Sequence, residues 1–219
     1  MATVHPSAIL EGDVELADDV TVGPFCYLRG PLVVGPRTRI WPHVVIGTEG
    51  EHKTRTPAGV IRIGADTIVR ELVVIQRGTG DRDTTIGDGC FVMDHCHIAH
   101  DVLVGDGVTM SPNVTLGGHT HVLRGATVGI GAMTHQFSTV GAYAMLGMGA
   151  VVTRDVPPFC LVAGNPARFA RLNTHAFAAA GIGEADVRVE AGALVAADAR
   201  VQALLDEFAA HSRRDRLAL

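Results

Sequence analysis

The sequence predicts a mainly β fold: a left-handed parallel β-helix of hexapeptide repeats with a short C-terminal α-helical tail. Three observations predict it. An aliphatic residue recurs at every sixth position, glycine often follows it directly, and 26 glycines stand against only 7 Phe, 2 Tyr and 1 Trp. Period six suits neither an amphipathic helix nor an ordinary alternating strand. It suits a solenoid in which each hexapeptide makes one short strand and a corner, three hexapeptides make a triangular coil, and small or β-branched side chains fill a narrow interior.

The first run of repeats reads Leu10, Leu16, Val22, Leu28, Val34, Ile40, Ile46, with a small or β-branched partner two residues earlier, as at Val20, Cys26 and Val44. The frame then breaks over residues 48–60, returns as Ile63, Val69 and Ile75, and breaks again over 77–85. Both breaks are polar and rich in Gly or charge, and are expected to be loops projecting from the prism, where function concentrates on a rigid scaffold. The longest run follows from Ile86 to Val152, with Thr134 as the polar exception. Pro157-Pro158 is expected to end the ladder, since proline has no N–H to donate. Residues 1–165 therefore form the β-helix and 166–219 a C-terminal helical segment. Within that segment, 174–180, 184–198 and 199–211 are read as short helices that cap the prism.

The formal net charge is −5, and no Lys/Arg cluster occurs before the last few residues, so nucleic acid is not an expected partner. Met1–Pro6 lacks a positive, apolar leader, and no stretch is long enough to span a bilayer; a cytoplasmic protein without a membrane span is expected. Cys26, Cys90, Cys96 and Cys160 have neither CxxC nor zinc-finger spacing and read as small core residues. Lys53 is the sole lysine in the chain.

Eleven histidines are present, and His95, His97, His100, His119, His121 and His135 fall in the central coils. Subtracting coils of 18 residues stacks His100 on Gly118 and Gln136, with His119 and His135 one residue to either side. None of these residues occupies the inward frame, so a surface cluster is expected. A neutral imidazole suits general-base work near neutral pH. Asp101 is placed to fix its tautomer, and amides at Gly117-Gly118 or Gly131 to face an oxyanion. Two other readings stand beside this one: polar filler on a solenoid surface, and a zinc site. For the latter, some hexapeptide-repeat proteins resemble carbonic anhydrases, with two histidine ligands five residues apart, a spacing His95 and His100 share. The third histidine, two coils earlier, has no counterpart here.

Several words together resemble the UDP-N-acetylglucosamine O-acyltransferases that begin lipid A synthesis: Gly23-Pro24-Phe25-Cys26, Arg77-Gly78-Thr79, His97-Ile98-Ala99-His100-Asp101, Gly118-His119, His135-Gln136-Phe137 and Asp155-Val156-Pro157-Pro158. The resemblance runs from His5 to about Asn173. It implies a homotrimer with clefts between neighbours, acyl carrier protein as acyl donor, a nucleotide sugar as acceptor, and no metal or other cofactor. It also implies His100 as general base oriented by Asp101, and substrate contacts from Glu51, Lys53, Gln76, His97, Gly118, His119, His135, Gln136 and Asn173. Gln76 replaces a family histidine, His175 a glutamate, and Ala179-Ala180 an arginine pair that engages the nucleotide. Met148 replaces a glycine of long-chain members, which implies a ruler admitting a short or medium acyl chain. The same donor chemistry on a different sugar or secondary metabolite, and a non-catalytic trimeric binding module, are the alternative readings.

Overall fold

The structure is a computed structural model that describes residues 1–54, 58–80 and 82–219. Three sheets of ten, eight and seven strands form the faces of a β-helix. The chain visits the faces in a fixed order: face A (Thr3–Val4 in the first coil), face B (Ile9–Glu11), then face C (Val14–Leu16). Parallel partners such as Thr3 and Thr21, Ile9 and Tyr27, and Val14 and Leu32 stand one coil apart.

The predicted frame is the core. Leu28, Ile46, Ile75, Ile98, Leu116 and Val152 are fully buried, each stacked at the strand spacing of about 4.8 Å. Leu10 departs from this: it is 41 % exposed because the first coil has no coil beneath it. Thr134 is tolerated inside because its hydroxyl bonds that of Thr120 at 3.0 Å and lies 3.3 Å from the Gly117 amide, which meets the cost of a buried hydroxyl.

Both projecting loops leave from the end of face B. Val45 pairs with Val74 across the first excursion, and Val74 with His97 across the second. The first begins after the strand Val45–Thr48; residues 55–57 of it lie outside the described residues. The second is shorter than the sequence predicts, because Thr84 and Thr85 already belong to a face C strand, Thr84–Ile86. Their β-branched side chains suit the ladder despite being polar.

The two prolines do not end the ladder. Face A continues through Cys160–Ala163 and an antiparallel strand, Arg168–Leu172, since Pro157 and Pro158 sit in the connection rather than in a strand. Beyond it come a 3₁₀ turn at Thr174–Ala176, helix α1 (Phe177–Ala180) and helix α2 (Ala199–His211). Residues 184–198 are not the expected helix. After a 3₁₀ turn they form a hairpin, Val187–Glu190 with Ala193–Ala196, closed by Ala191-Gly192 at positive φ. Period-two alternation of Val187 and Val189 with polar residues explains this. Helix α2 buries Val201, Leu204 and Phe208 against Leu123, Ala142 and Phe159, while Leu217 joins the main core. Among the described residues no helix is long and apolar enough to cross a membrane, and all four cysteines are buried and free.

Candidate active site

The corner between faces B and C carries both loops and, in the coils above them, His100-Asp101, Gly118-His119, Gln136-Phe137 and Asp155. Asp101, His119 and Phe137 each take a positive φ, near 60°, at this corner. The repeat therefore presents its side chains in a vertical file, one coil apart. A cleft of about 390 Å³ runs along it, lined among others by Glu51, Gln76, His97, His100, Gly118, His135 and Gln136.

His100 is not a surface group in this chain. It is 8 % exposed, because the first loop closes over it: a Cβ on Gly50 would come within 2.7 Å of the His100 Cβ. Gly118 is needed on the other side, since a Cβ there would lie 2.7 Å from His100 Cε1 and 2.8 Å from Nε2. Two glycines thus pack on this side chain, Gly50 of the loop at its Cβ and Gly118 of the next coil at the imidazole.

Asp101 is fully buried, and its Oδ2 accepts from His100 Nδ1 at 2.7 Å. Donation through Nδ1 leaves the Nε2 lone pair bare in the neutral ring, as a base requires. The second loop supplies the remaining donors: the Thr79 hydroxyl at 2.7 Å, the Thr79 amide at 3.1 Å and the Arg82 amide at 3.3 Å. Burial works against ionisation of this carboxyl, but the hydrogen bonds from Thr79 and His100, with the nearby His119, outweigh it and hold Asp101 below the usual carboxylate range. His119 stands edge-on to His100, with ring centroids 5.2 Å apart, and stacks on Phe137 at 4.4 Å. His100, Asp101 and His119 offer ligand atoms within 4.8 Å of one another, a spacing a cation would also accept. The Asp101 oxygens are already taken by Thr79, Arg82 and His100, which fits an orienting carboxylate better than a metal ligand. His95, invoked for the zinc reading, is exposed and bonds Asp94 instead, at 3.1 Å.

Most predicted residues gather here. Gln76 is 3 % exposed, and its Oε1 has no hydrogen-bond partner. His97 projects outward from face B in register with Val74 and Thr115. Glu51 and Lys53 lie on the exposed first loop. Of the predicted oxyanion amides, Gly117 and Gly131 are spent on Thr134 O and Pro112 O; the Gly118 carbonyl accepts from Phe137 N at 2.9 Å, but its N–H makes no backbone bond among the described residues and is the one left for a ligand. Two residues stand elsewhere. Asn173 is buried at the corner between faces C and A, where its Nδ2 donates to Tyr143 O at 2.9 Å. Met148, 74 % exposed, is at the corner between faces A and B beside Ile130.

Sequence reasoning missed three contributors. His52 places its ring 6.2 Å from that of His100; its position between Glu51 and Lys53 was the available signal. Thr79 stood within a recognised word without an assigned role. Arg214, which bonds His135 Nδ1 at 2.7 Å, lies 79 residues from it and follows no repeat.

The bacterial transferase hexapeptide (six repeats) model matches residues 13–48 and 83–118. The acyl-[acyl-carrier-protein]–UDP-N-acetylglucosamine O-acyltransferase of Gloeothece citriformis is 38 % identical over 162 residues, 73 % of this chain and 59 % of the relative. The chain thus spans under two thirds of that protein. The enzyme of the same name from Aliivibrio fischeri strain MJ11 is 37 % identical over 207 residues, 85 % of this chain and 79 % of its own length. In three dimensions the chain is similar to LpxA from Acinetobacter baumannii, with a TM-score of 0.82 over 98 % of this chain and 99 % of the other; at 24 % identity this shows a shared fold.

Proposed function

The chain belongs to the acyl-[acyl-carrier-protein]–UDP-N-acetylglucosamine O-acyltransferase family, and we propose that it moves an acyl group from acyl carrier protein to a hydroxyl of UDP-N-acetylglucosamine. The observation that carries this reading is the His100 Nδ1 to Asp101 contact of 2.7 Å inside the cleft. His100 Nε2 takes the acceptor hydroxyl proton as the oxygen attacks the thioester carbonyl, and Asp101 stabilises the resulting imidazolium. The carbonyl oxygen gains negative charge beside the Gly118 N–H. As the tetrahedral intermediate collapses, the C–S bond breaks and the carrier thiolate leaves, taking the proton back from His100. No covalent enzyme intermediate is required.

The acceptor lies against Glu51, Lys53, Gln76, His97 and His119 at the lower end of the cleft, with His135 and Gln136 above. The buried, unpartnered Gln76 Oε1 needs a donor from substrate, because an unmet buried acceptor costs about 1–3 kcal/mol. Asn173 and Met148 stand at the other two corners of the same prism, so they reach this cleft only from a neighbour. The working assembly we infer is a homotrimer in which each cleft takes His100 from one protomer and these residues from the next.

Mass spectrometry of products from a panel of acyl carrier protein donors with UDP-N-acetylglucosamine tests this reading. O-acylated product is expected from the wild type, with His100→Ala lowering turnover by about 10²–10⁴-fold. Met148→Gly is expected to shift donor preference to longer chains, since it removes the exposed side chain that the family resemblance makes the ruler of the acyl chain. Donor thioester cleavage that yields no acylated nucleotide sugar would refute this acceptor, and the absence of turnover altogether would refute catalysis.

A further inference from the structure

Asp155 is the next corner residue in the file of Asp101, His119 and Phe137, yet it serves the C-terminal tail. Fully buried, it accepts from Thr139 N at 2.7 Å, Ser212 Oγ at 2.7 Å, Arg213 N at 2.8 Å and Arg214 N at 2.9 Å. Backbone bonds from Asp155 N to Asp215 O and from Leu217 N to Asp155 O continue the latch. The chain beyond α2 is thereby folded back onto the catalytic corner.

The latch sets the half-buried Arg214 side chain against His135 and Gln136, which line the upper end of the cleft. Nε donates to Gln136 O at 2.9 Å, Nη1 to Thr153 O at 3.1 Å and Nη2 to His135 Nδ1 at 2.7 Å. A guanidinium only donates, so His135 Nδ1 is an acceptor and the ring proton sits on Nε2. Three of the five guanidinium N–H groups are used, which leaves one on each Nη. A fixed cation and a neutral histidine donor therefore stand side by side two coils, or about 10 Å, above His100. The lower end, by contrast, presents Gln76 and, on the first loop, the oppositely charged Glu51 and Lys53, which leave no net charge there. This polarity suits a molecule with neutral hydroxyls at one end and an anion with several oxygens at the other.

We propose that Arg214, positioned by Asp155 and acting beside His135, binds the phosphates of a nucleotide-linked acceptor. The ligand class rests on the acceptor proposed above; the placement of the charge does not.

Calorimetric titration with UDP, uridine and inorganic pyrophosphate tests the proposal on the full-length protein. The wild type is expected to prefer UDP to uridine by about tenfold or more. Arg214→Gln should lose most of that preference and most pyrophosphate binding, and Arg214→Lys should keep part of it. Ser212→Ala loosens the latch without touching the guanidinium and should keep it. In turnover, Arg214→Gln should raise KM for the nucleotide sugar about tenfold while KM for the acyl donor is unchanged. The proposal fails if the wild type does not distinguish UDP from uridine, if Arg214→Gln binds UDP as the wild type does, or if Ser212→Ala loses as much as Arg214→Gln. Should Arg214→Gln fail to fold by circular dichroism, Arg214→Lys decides: UDP affinity and pyrophosphate affinity both unchanged would overturn the forked-guanidinium role. Phosphate preference retained without acylation of the sugar would refute the acceptor and leave Arg214 as an anion site.

Discussion

Position 118 has no side chain because the His100 imidazole fills the volume a Cβ would take, with the nearest ring atom 2.7 Å away. The clash is with the very edge that carries the basic Nε2, and the fold supplies little slack, since Gly50 packs against the His100 Cβ. Gly118→Ala is therefore expected to leave the β-helix folded and to cost about 100-fold in turnover, as a displaced catalytic ring does. Steady-state kinetics beside a thermal melt check this; unchanged turnover would show that the imidazole works from another position. Stacking of His100 on Gly118 and Gln136 was legible in the sequence, because an 18-residue coil is simple arithmetic. The burial of His100 and His119 was not, since the cover comes from a loop whose path no periodicity specifies.

At the scale of elements, the second loop is held at both of its ends. Thr79 and the Arg82 amide clasp Asp101, while the Arg82 guanidinium bonds His121 Nε2 on face C. His121 packs edge-on to His211 of α2, with centroids 5.2 Å apart, so loop, prism and helix meet at one ring. Burial, followed by the charges of Arg82 and Arg213 and by His211 and His119, pushes the His121 pKa down to about 3. The folded protein keeps this ring neutral while the unfolded chain protonates it near pH 6.5. The stability this confers is complete above about pH 6.5 and is lost as pH falls toward 3, because the unfolded state then binds the extra proton. Melting temperatures measured between pH 7 and 5 should drop more steeply for the wild type than for His121→Gln; parallel curves would remove His121 as the source. Sequence pattern located the loop but misplaced its end, since Thr84 and Thr85 look like loop residues until their ladder partners Ile61 and Arg62 are seen. The expected helix over 184–198 failed for a related reason: Ala and Glu are good helix formers, but propensity yields to tertiary context, and alternation with packing on the prism overrode it.

For the whole molecule, one protomer spreads the implied site over three corners of a triangular prism: His100 between faces B and C, Asn173 between C and A, Met148 between A and B. No flexing of a stacked ladder joins them, whereas three-fold packing of identical prisms would. Native mass spectrometry is expected to show an assembly of three 23.0 kDa chains; a monomer with full activity would mean that Asn173 and Met148 take no part.

The sequence by itself determined the β-helix, the two breaks at which its loops project and the file of His100, Gly118 and Gln136, because a repeat of fixed length converts position directly into height and face. The tertiary structure alone decided that His100 lies under a loop, that Thr79 completes the shell around Asp101, and that Arg214 returns to His135. Those contacts join segments outside the repeat. Their meeting is set by loop paths and by a buried carboxylate gathering backbone amides, for which the order of residues carries no periodic signal.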